Sequence, residues 1–392
     1  MTAAPIQQPA ARTSLRFAAG AIVVGAIVGV IGWRQNHHQF FASYLVAWLF
    51  WLGMALGSMA LQLLHNLTGG KWGEPIRPYL RAASGLIPVM ALLFIPIAMN
   101  LPQIYEWANL EHVDPILQYK RDFYLYEKFF LIRAAIYFTL WLLILAMLSW
   151  QARTNAAPGS EADHRFRRFS GVGLGLHGLA VTFASIDWMM SLEPHWFSAI
   201  YGVVIFASQG VGALALAIFL STRAARLAPP ITPRQIDQFH DLAKLFSGFI
   251  MFWMYVQFSQ VFIIWYGNLP EEVVWVIWRL AGGWKWIALA LLLFHFIVPF
   301  FGLLSREWKR NPSRLGFMAL MVVVMEWVMY VWFIEPAVQH HAENHSFFPW
   351  LDASLTAAIG GVWWLVFTWR QPRTFAQAEA ATKNKKKGAR HV

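Results

Sequence analysis

The stretch FASIDWMMSLEPHWFSAIYG, residues 183 to 202, places Asp187, Glu193 and His195 between two hydrophobic runs that each look long enough to cross a bilayer. A helix rises 1.5 Å per residue, so about 20 apolar residues span the hydrocarbon core. Charges between two such runs read as the turn joining a pair of membrane helices. The same pattern recurs along the chain, with runs at 15 to 33, 41 to 64, 76 to 99, 129 to 150, 168 to 190, 196 to 221, 241 to 267, 282 to 304, 314 to 334 and 350 to 369. The expectation is an all-α integral membrane protein of ten transmembrane helices, with residues 271 to 280 at the interface. Composition agrees: the 392 residues are 58% hydrophobic and 13% charged, far from a soluble globular average. The first run follows Arg12 and Arg16 but offers no small-residue cleavage pattern, so it reads as a retained helix.

Lys and Arg near helix ends mark the cytoplasmic side. With the N terminus inside, the inner segments hold 23 of the 31 basic residues, while Arg34, Lys120, Arg121, Lys128 and Arg279 fall outside. The outer segments carry Glu106, Glu111, Asp114, Glu193, Glu271, Glu272, Glu335 and Glu343. Residues 1 to 14 then form a cytoplasmic N-terminal segment, 15 to 369 a single membrane domain, and 370 to 392 a basic cytoplasmic tail. Within that tail KNKKKGAR reads as a topology anchor touching anionic lipid, not as a nucleic-acid site.

The chain has no cysteine, which excludes disulfides, thiolate-bound clusters and covalent c-type haem on it. A b-type haem would need facing histidines; His177 and His295 are deep, His65 and His240 near the inner ends, and all four read as hydrogen-bonded bundle histidines. QHHAENHSF, with His340, His341 and His345, lacks a pattern specific to a metal. No Gly-rich phosphate loop and no serine elbow is present.

Two landmarks recur four helices apart. Asn100-Leu101-Pro102 ends the third run and Asn268-Leu269-Pro270 the seventh; Glu193-Pro194 follows the fifth and Glu335-Pro336 the ninth. They imply two four-helix bundles, helices 2 to 5 and 6 to 9, in the same membrane orientation and flanked by helices 1 and 10.

An ionisable group inside a span needs a partner, a cavity or a function. Asp187 sits near the outer edge, with Arg133 or Lys285 as counter-ion candidates. His177 lies about ten residues deeper, near mid-depth, which is roughly 15 Å along the axis. Glu326 and His295 are central, without an obvious sequence neighbour as partner. In the seventh run Asp241, Lys244, Gly248, Tyr255 and Ser259 share one helical face, either a hydrogen-bonded seam with Gly248 at a close approach or a water-lined proton route. Asp187, Glu326, His177, His295, Asp241, Lys244, Tyr255 and Ser259 are therefore the proton-relay candidates. Glu193, Pro194 and His195 form a short outer turn, where charges are solvated or meet a partner.

The 183 to 202 stretch, QFHDLAKLFSGFIMFWMYVQFSQVFIIWYGNLPEE (238 to 272) and RLAGGWKW (279 to 286) together resemble the F subunit of alternative complex III, of the polysulfide-reductase-like membrane family, over helices 2 to 9. The resemblance implies a membrane subunit of a bacterial quinol-oxidising complex in the cytoplasmic membrane. Its implied partners are a related C subunit, which carries the quinol site in this family, an iron-sulfur protein and multihaem c-type cytochromes. Haem and iron-sulfur clusters then belong to those partners. Menaquinone or ubiquinone binding by this chain stays open, and a role in proton movement is implied, with Asp187, Glu193 and His195 inside the matching motif. The alternatives are a secondary transporter and a purely structural membrane anchor for peripheral redox subunits. Pro88 and Pro96 interrupt helix 3 while helix 7 has no interior proline, which departs from the matched broken helices of a transporter.

Overall fold

The computed structural model describes residues 8 to 109, 115 to 154, 156, 159 to 340 and 349 to 388, and all regular structure among them is helical. Ten helices are long and apolar enough to cross a membrane. They are α1 (Gln8–Gln35), α2 (His37–Thr68), α3 (Arg77–Met99), α4 (Glu127–Thr154), α5 (Glu161–Trp188), α6 (Tyr201–Leu227), α7 (Pro233–Gly267), α8 (Trp284–Leu304), α9 (Pro312–His340) and α10 (Pro349–Gly388). The protein is thus an all-α, multi-pass membrane protein. Helices alternate in direction, so α1 starts and α10 finishes at the same end, termed the terminal end; the opposite end is distal.

Local chemistry sets the helix boundaries. Asn36 caps α2 by accepting from Gln39 N at 3.0 Å, and Ser160 caps α5 by accepting from Asp163 N at 3.2 Å. α7 opens with Pro233 behind a reciprocal Thr232–Gln235 capping box and closes on Asn268 in the left-handed conformation, φ 46°. The matching Asn100 does not adopt that conformation; its side-chain amide donates to Pro96 O at 2.9 Å instead. α3 is broken into Arg77–Ser84, Ile87–Leu92 and Ile95–Met99, the last two with Pro88 and Pro96 as their second residues. Each proline lacks an N–H and excludes the carbonyl four residues back. α7 runs unbroken for 35 residues.

Two ends differ from expectation. α9 continues through Pro336, so Glu335 lies on a helix and not in a loop, and α10 continues through Pro372 to Gly388, turning most of the expected tail into helix.

Packing produces two bundles. α2, α3, α4 and α5 contact one another in a ring, as do α6, α7, α8 and α9. α2 packs on α6 across the divide, and the flanking contacts, α2 with α9 and α5 with α6, exchange under the mapping of helices 2 to 5 onto 6 to 9. α2 and α6 run parallel, as a rotation about the membrane normal requires. α1 and α10 do not take opposite flanks. They pack on each other, and α10 packs on α2 and α3.

Lipid tails are as apolar as leucine, so helices in a membrane associate through close contact and polar pairing. A Cβ on Gly57 would overlap the carbonyl of Gln209 on α6, so glycine alone allows this approach of α2 to α6. Gly25 meets Ala358 and Ser354 O on α10 in the same way. Gly248, expected at a close approach, faces open space. Gly57→Leu should therefore disrupt bundle docking, losing the monodisperse peak in detergent gel filtration, whereas Gly248→Leu should leave thermal stability within about 0.5 kcal/mol.

Candidate functional site

Asp187, in the last turn of α5, is fully buried. Arg133 on α4 grips it through two parallel hydrogen bonds, Nε to Oδ2 and Nη2 to Oδ1, each 2.8 Å, and the Tyr137 hydroxyl donates to Oδ2 at 2.7 Å. The guanidinium also donates to Tyr124 O at 2.9 Å and stacks 3.8 Å from the Tyr124 ring centroid. This fork matches a carboxylate in a way lysine does not. Lys285 is not a partner: it is exposed on α8, in the other bundle, with its ammonium 5.5 Å from the Trp286 ring centroid. Burial, helped by the charge of Asp187, pushes the Tyr124 phenol above its ordinary range, so it stays neutral beside the pair.

Of the two alternatives for the outer turn, Glu193 meets a partner. It is 5% exposed and Arg279 1%, and they form a second fork at 3.1 and 2.7 Å. Arg279 also donates to Phe333 O on α9 at 2.6 Å and lies 4.0 Å from the Trp275 ring centroid. The short helix Pro270–Leu280 folds back over the distal end, carrying Arg279 inward, and Trp275 stacks on Trp196 at 5.0 Å. Sequence placed both charges in loops because nothing local signals that return. His195, in the same turn, is exposed.

A third assembly joins α2, α9 and α10. Gln39 Nε2 donates to both oxygens of the fully buried Glu335, at 3.0 and 2.9 Å, and the buried Asp352 carboxyl faces Ser43 and Glu335. Glu335 was expected in an outer segment beyond the ninth run; α9 continues past it and encloses it.

The fourth assembly lies at the middle of α8 and α9. His295 Nε2 approaches Glu326 Oε1 at 3.5 Å, and both residues are fully buried. His295 lies in a π-helical segment, Leu291–Ile297, a distortion frequent at functional sites. Trp253 on α7 meets the imidazole edge-on, ring centroids 3.9 Å apart, while its Nε1 donates to Ser208 Oγ at 3.0 Å. Gly212 on α6 leaves the room that the Glu326 side chain fills, since a Cβ there would lie 3.1 Å from Glu326 Cγ. Among the described residues, no hydrogen-bond partner meets either oxygen of Glu326, either ring nitrogen of His295, the Tyr330 hydroxyl or Gln209 Oε1. The partnership of His295 and Glu326 was invisible in sequence, because the two are 31 positions apart on antiparallel helices. Tyr330, Gln209 and Trp253 were not anticipated; the one available signal was Tyr330 one turn beyond Glu326 on the same face.

The remaining candidates separate from this centre. His177 is buried between Trp141 and Phe206, ring centroids 6.4 and 5.7 Å away, in the other bundle, and among the described residues neither of its ring nitrogens has a hydrogen-bond partner. The α7 stripe faces outward. Lys244 pairs with Asp241 at 3.3 Å, both exposed; Tyr255 is 68% exposed; Ser259 donates back to Tyr255 O at 2.7 Å. It is neither an internal seam nor an enclosed route, because the apolar positions of α7 between these residues are the ones that face the bundle. His65 binds Arg77 and packs against Trp72. No group of three metal-ligating side chains occurs among the described residues, and His340, His341 and His345 fall outside the described side chains.

Breaking a buried pair strands its other charge, at roughly 3 to 5 kcal/mol. Asp187→Asn and Glu193→Gln should each lower membrane abundance and melting temperature by that order, and Tyr137→Phe by about 1 kcal/mol, measured by immunoblot and thermal unfolding in detergent. Comparison of the chain with models of known protein families and with curated proteins finds no match in either.

Proposed function

We propose that this chain is an integral membrane subunit of a bacterial quinol-oxidising complex of the alternative complex III type, supporting proton movement at the centre of its second bundle. The observation that carries the proton role is the His295–Glu326 pair, at mid-length of α8 and α9 with its polar atoms unspent. An ionised carboxylate without donors in apolar surroundings is costly, so such a group persists where it exchanges a proton or binds ordered water. His295, Glu326 and Tyr330 are all groups that can take and give a proton. The saturated forks at Asp187 and Glu193, by contrast, favour a structural role for those two acids.

Membership of a quinol-oxidising complex rests on the sequence resemblance over helices 2 to 9 and on the paired bundles. The absence of cysteine fits a subunit whose redox centres sit on partners. In this reading the chain lies in the cytoplasmic membrane with both termini inside, since the terminal end carries most of the Lys and Arg. The alternative, a secondary transporter, draws support from the broken α3, but the equivalent α7 is continuous.

The test is native purification followed by subunit, haem and iron-sulfur analysis, with Glu326→Gln as the variant. Expected are full assembly and cofactor content, with quinol oxidation coupled to proton release in sealed vesicles falling by roughly tenfold or more. Unchanged rate and proton stoichiometry would remove Glu326 from any relay, and purification as a lone chain that moves a solute would replace the respiratory reading.

A further inference from the structure

At the terminal end, α2 stops at Thr68 and the chain turns through Gly69 and Gly70 before α3 begins at Arg77. Gln62, His65 and Asn66 of α2, Arg77 and Arg81 of α3, and Gln151 of α4 line one polar recess there. Among the described residues, no carboxylate lines it. Glu74, the acid whose charge reaches Arg77, is itself held by Arg234 at 2.9 Å and by Gln238.

Two of the acceptors in this recess are already engaged. His65 Nδ1 accepts from Arg77 Nη2 at 3.1 Å, which leaves Nε2 to carry the proton toward Gly70 O at 3.2 Å. Gln151 Oε1 accepts from Asn66 at 2.7 Å, so Gln151 keeps its amide donors. Arg81 lies close enough for its charge to act on that of Arg77, and no hydrogen bond or ion pair joins Arg81 to an acid among the described residues. Two half-buried guanidiniums side by side repel unless an anion sits between them.

We infer that this recess binds the phosphate of an anionic phospholipid headgroup. Basic pockets between transmembrane helices suit such headgroups, and the recess opens between membrane helices, with Leu80 and Leu148 as its apolar wall. The enclosed part is only about 20 Å³, the size of a water, so the phosphate takes the mouth, with its oxygens toward Arg77 and Arg81. A free soluble phosphate would make the same polar contacts without using the apolar flank. This inference is independent of the proton role.

The experiment is lipid retention by the full chain, purified and delipidated, then supplied with phosphatidylglycerol or phosphatidylcholine and read by native mass spectrometry. Expected are preferential retention of phosphatidylglycerol, loss of that preference by roughly tenfold in Arg81→Gln and in Arg77→Gln, and no displacement by excess inorganic phosphate. Arg81→Gln decides the matter if Arg77→Gln, which also frees His65, fails to fold. Equal retention of the two lipids, or an unchanged preference in Arg81→Gln, would overturn the inference. Displacement by inorganic phosphate would show a soluble-anion site instead.

Discussion

The parallel crossing of α2 and α6 is the contact on which the architecture rests. In lipid there is no hydrophobic driving force to hold two helix faces together, so contact distance decides. Gly57 lets the backbone of α6 come against α2 at Gln209, and the same crossing brings α9 near α2, where Tyr330 OH fills space beside Gly53. Gly212, one turn along α6 from the crossing, opens the room occupied by Glu326. A small-residue interface therefore does two things at once. It docks the bundles, and it makes space for polar groups beside the divide.

Polar groups are distributed in two distinct ways. At the distal end, three buried acids are met by fitted donors: Asp187 by Arg133 and Tyr137, Glu193 by Arg279, Glu335 by Gln39, while among the described residues no hydrogen-bond partner meets the buried carboxylate of Asp352 beside Glu335. Each assembly ties together helices or loops far apart in sequence, and arginine serves because its fork matches a carboxylate while its face stacks on Tyr124 or Trp275. At mid-depth, His295, Glu326, Tyr330 and Gln209 meet without completing one another's hydrogen bonds. Satisfied groups hold structure together; the unspent groups at the centre of the second bundle are the ones on which the proposed proton role rests.

Much of the fold was legible because a bilayer imposes length and polarity on every crossing segment. Ten runs of apolar residues fix ten helices whatever their neighbours, and the alternation of direction follows from the count. The two landmark pairs foreshadowed the two bundles, although their local geometry differs: Asn268 is left-handed and Asn100 is not, and Glu335 lies inside a helix while Glu193 follows one. The Asp187–Arg133 pair was readable too, since both residues fall at the same depth on consecutive helices.

What sequence could not supply is rotation about the helix axis and the course of the loops. Asp241, Lys244, Tyr255 and Ser259 share a face in either description, but only packing shows that this face points away from the bundle. Arg279 and Glu193 look like loop charges until the Pro270–Leu280 helix returns over the distal end. His295 and Glu326 are each recognisable as deep and ionisable, yet their meeting depends on the register of α8 against α9 and on the π-helical segment that sets the imidazole's direction. Sequence by itself determined which segments are long and apolar enough to cross and where along each apolar run its interior polar residues fall, because both follow from counting residues along a helix. Which of those residues meet was decided only by the tertiary structure, because it depends on helix rotation and contact distance, which no single helix encodes.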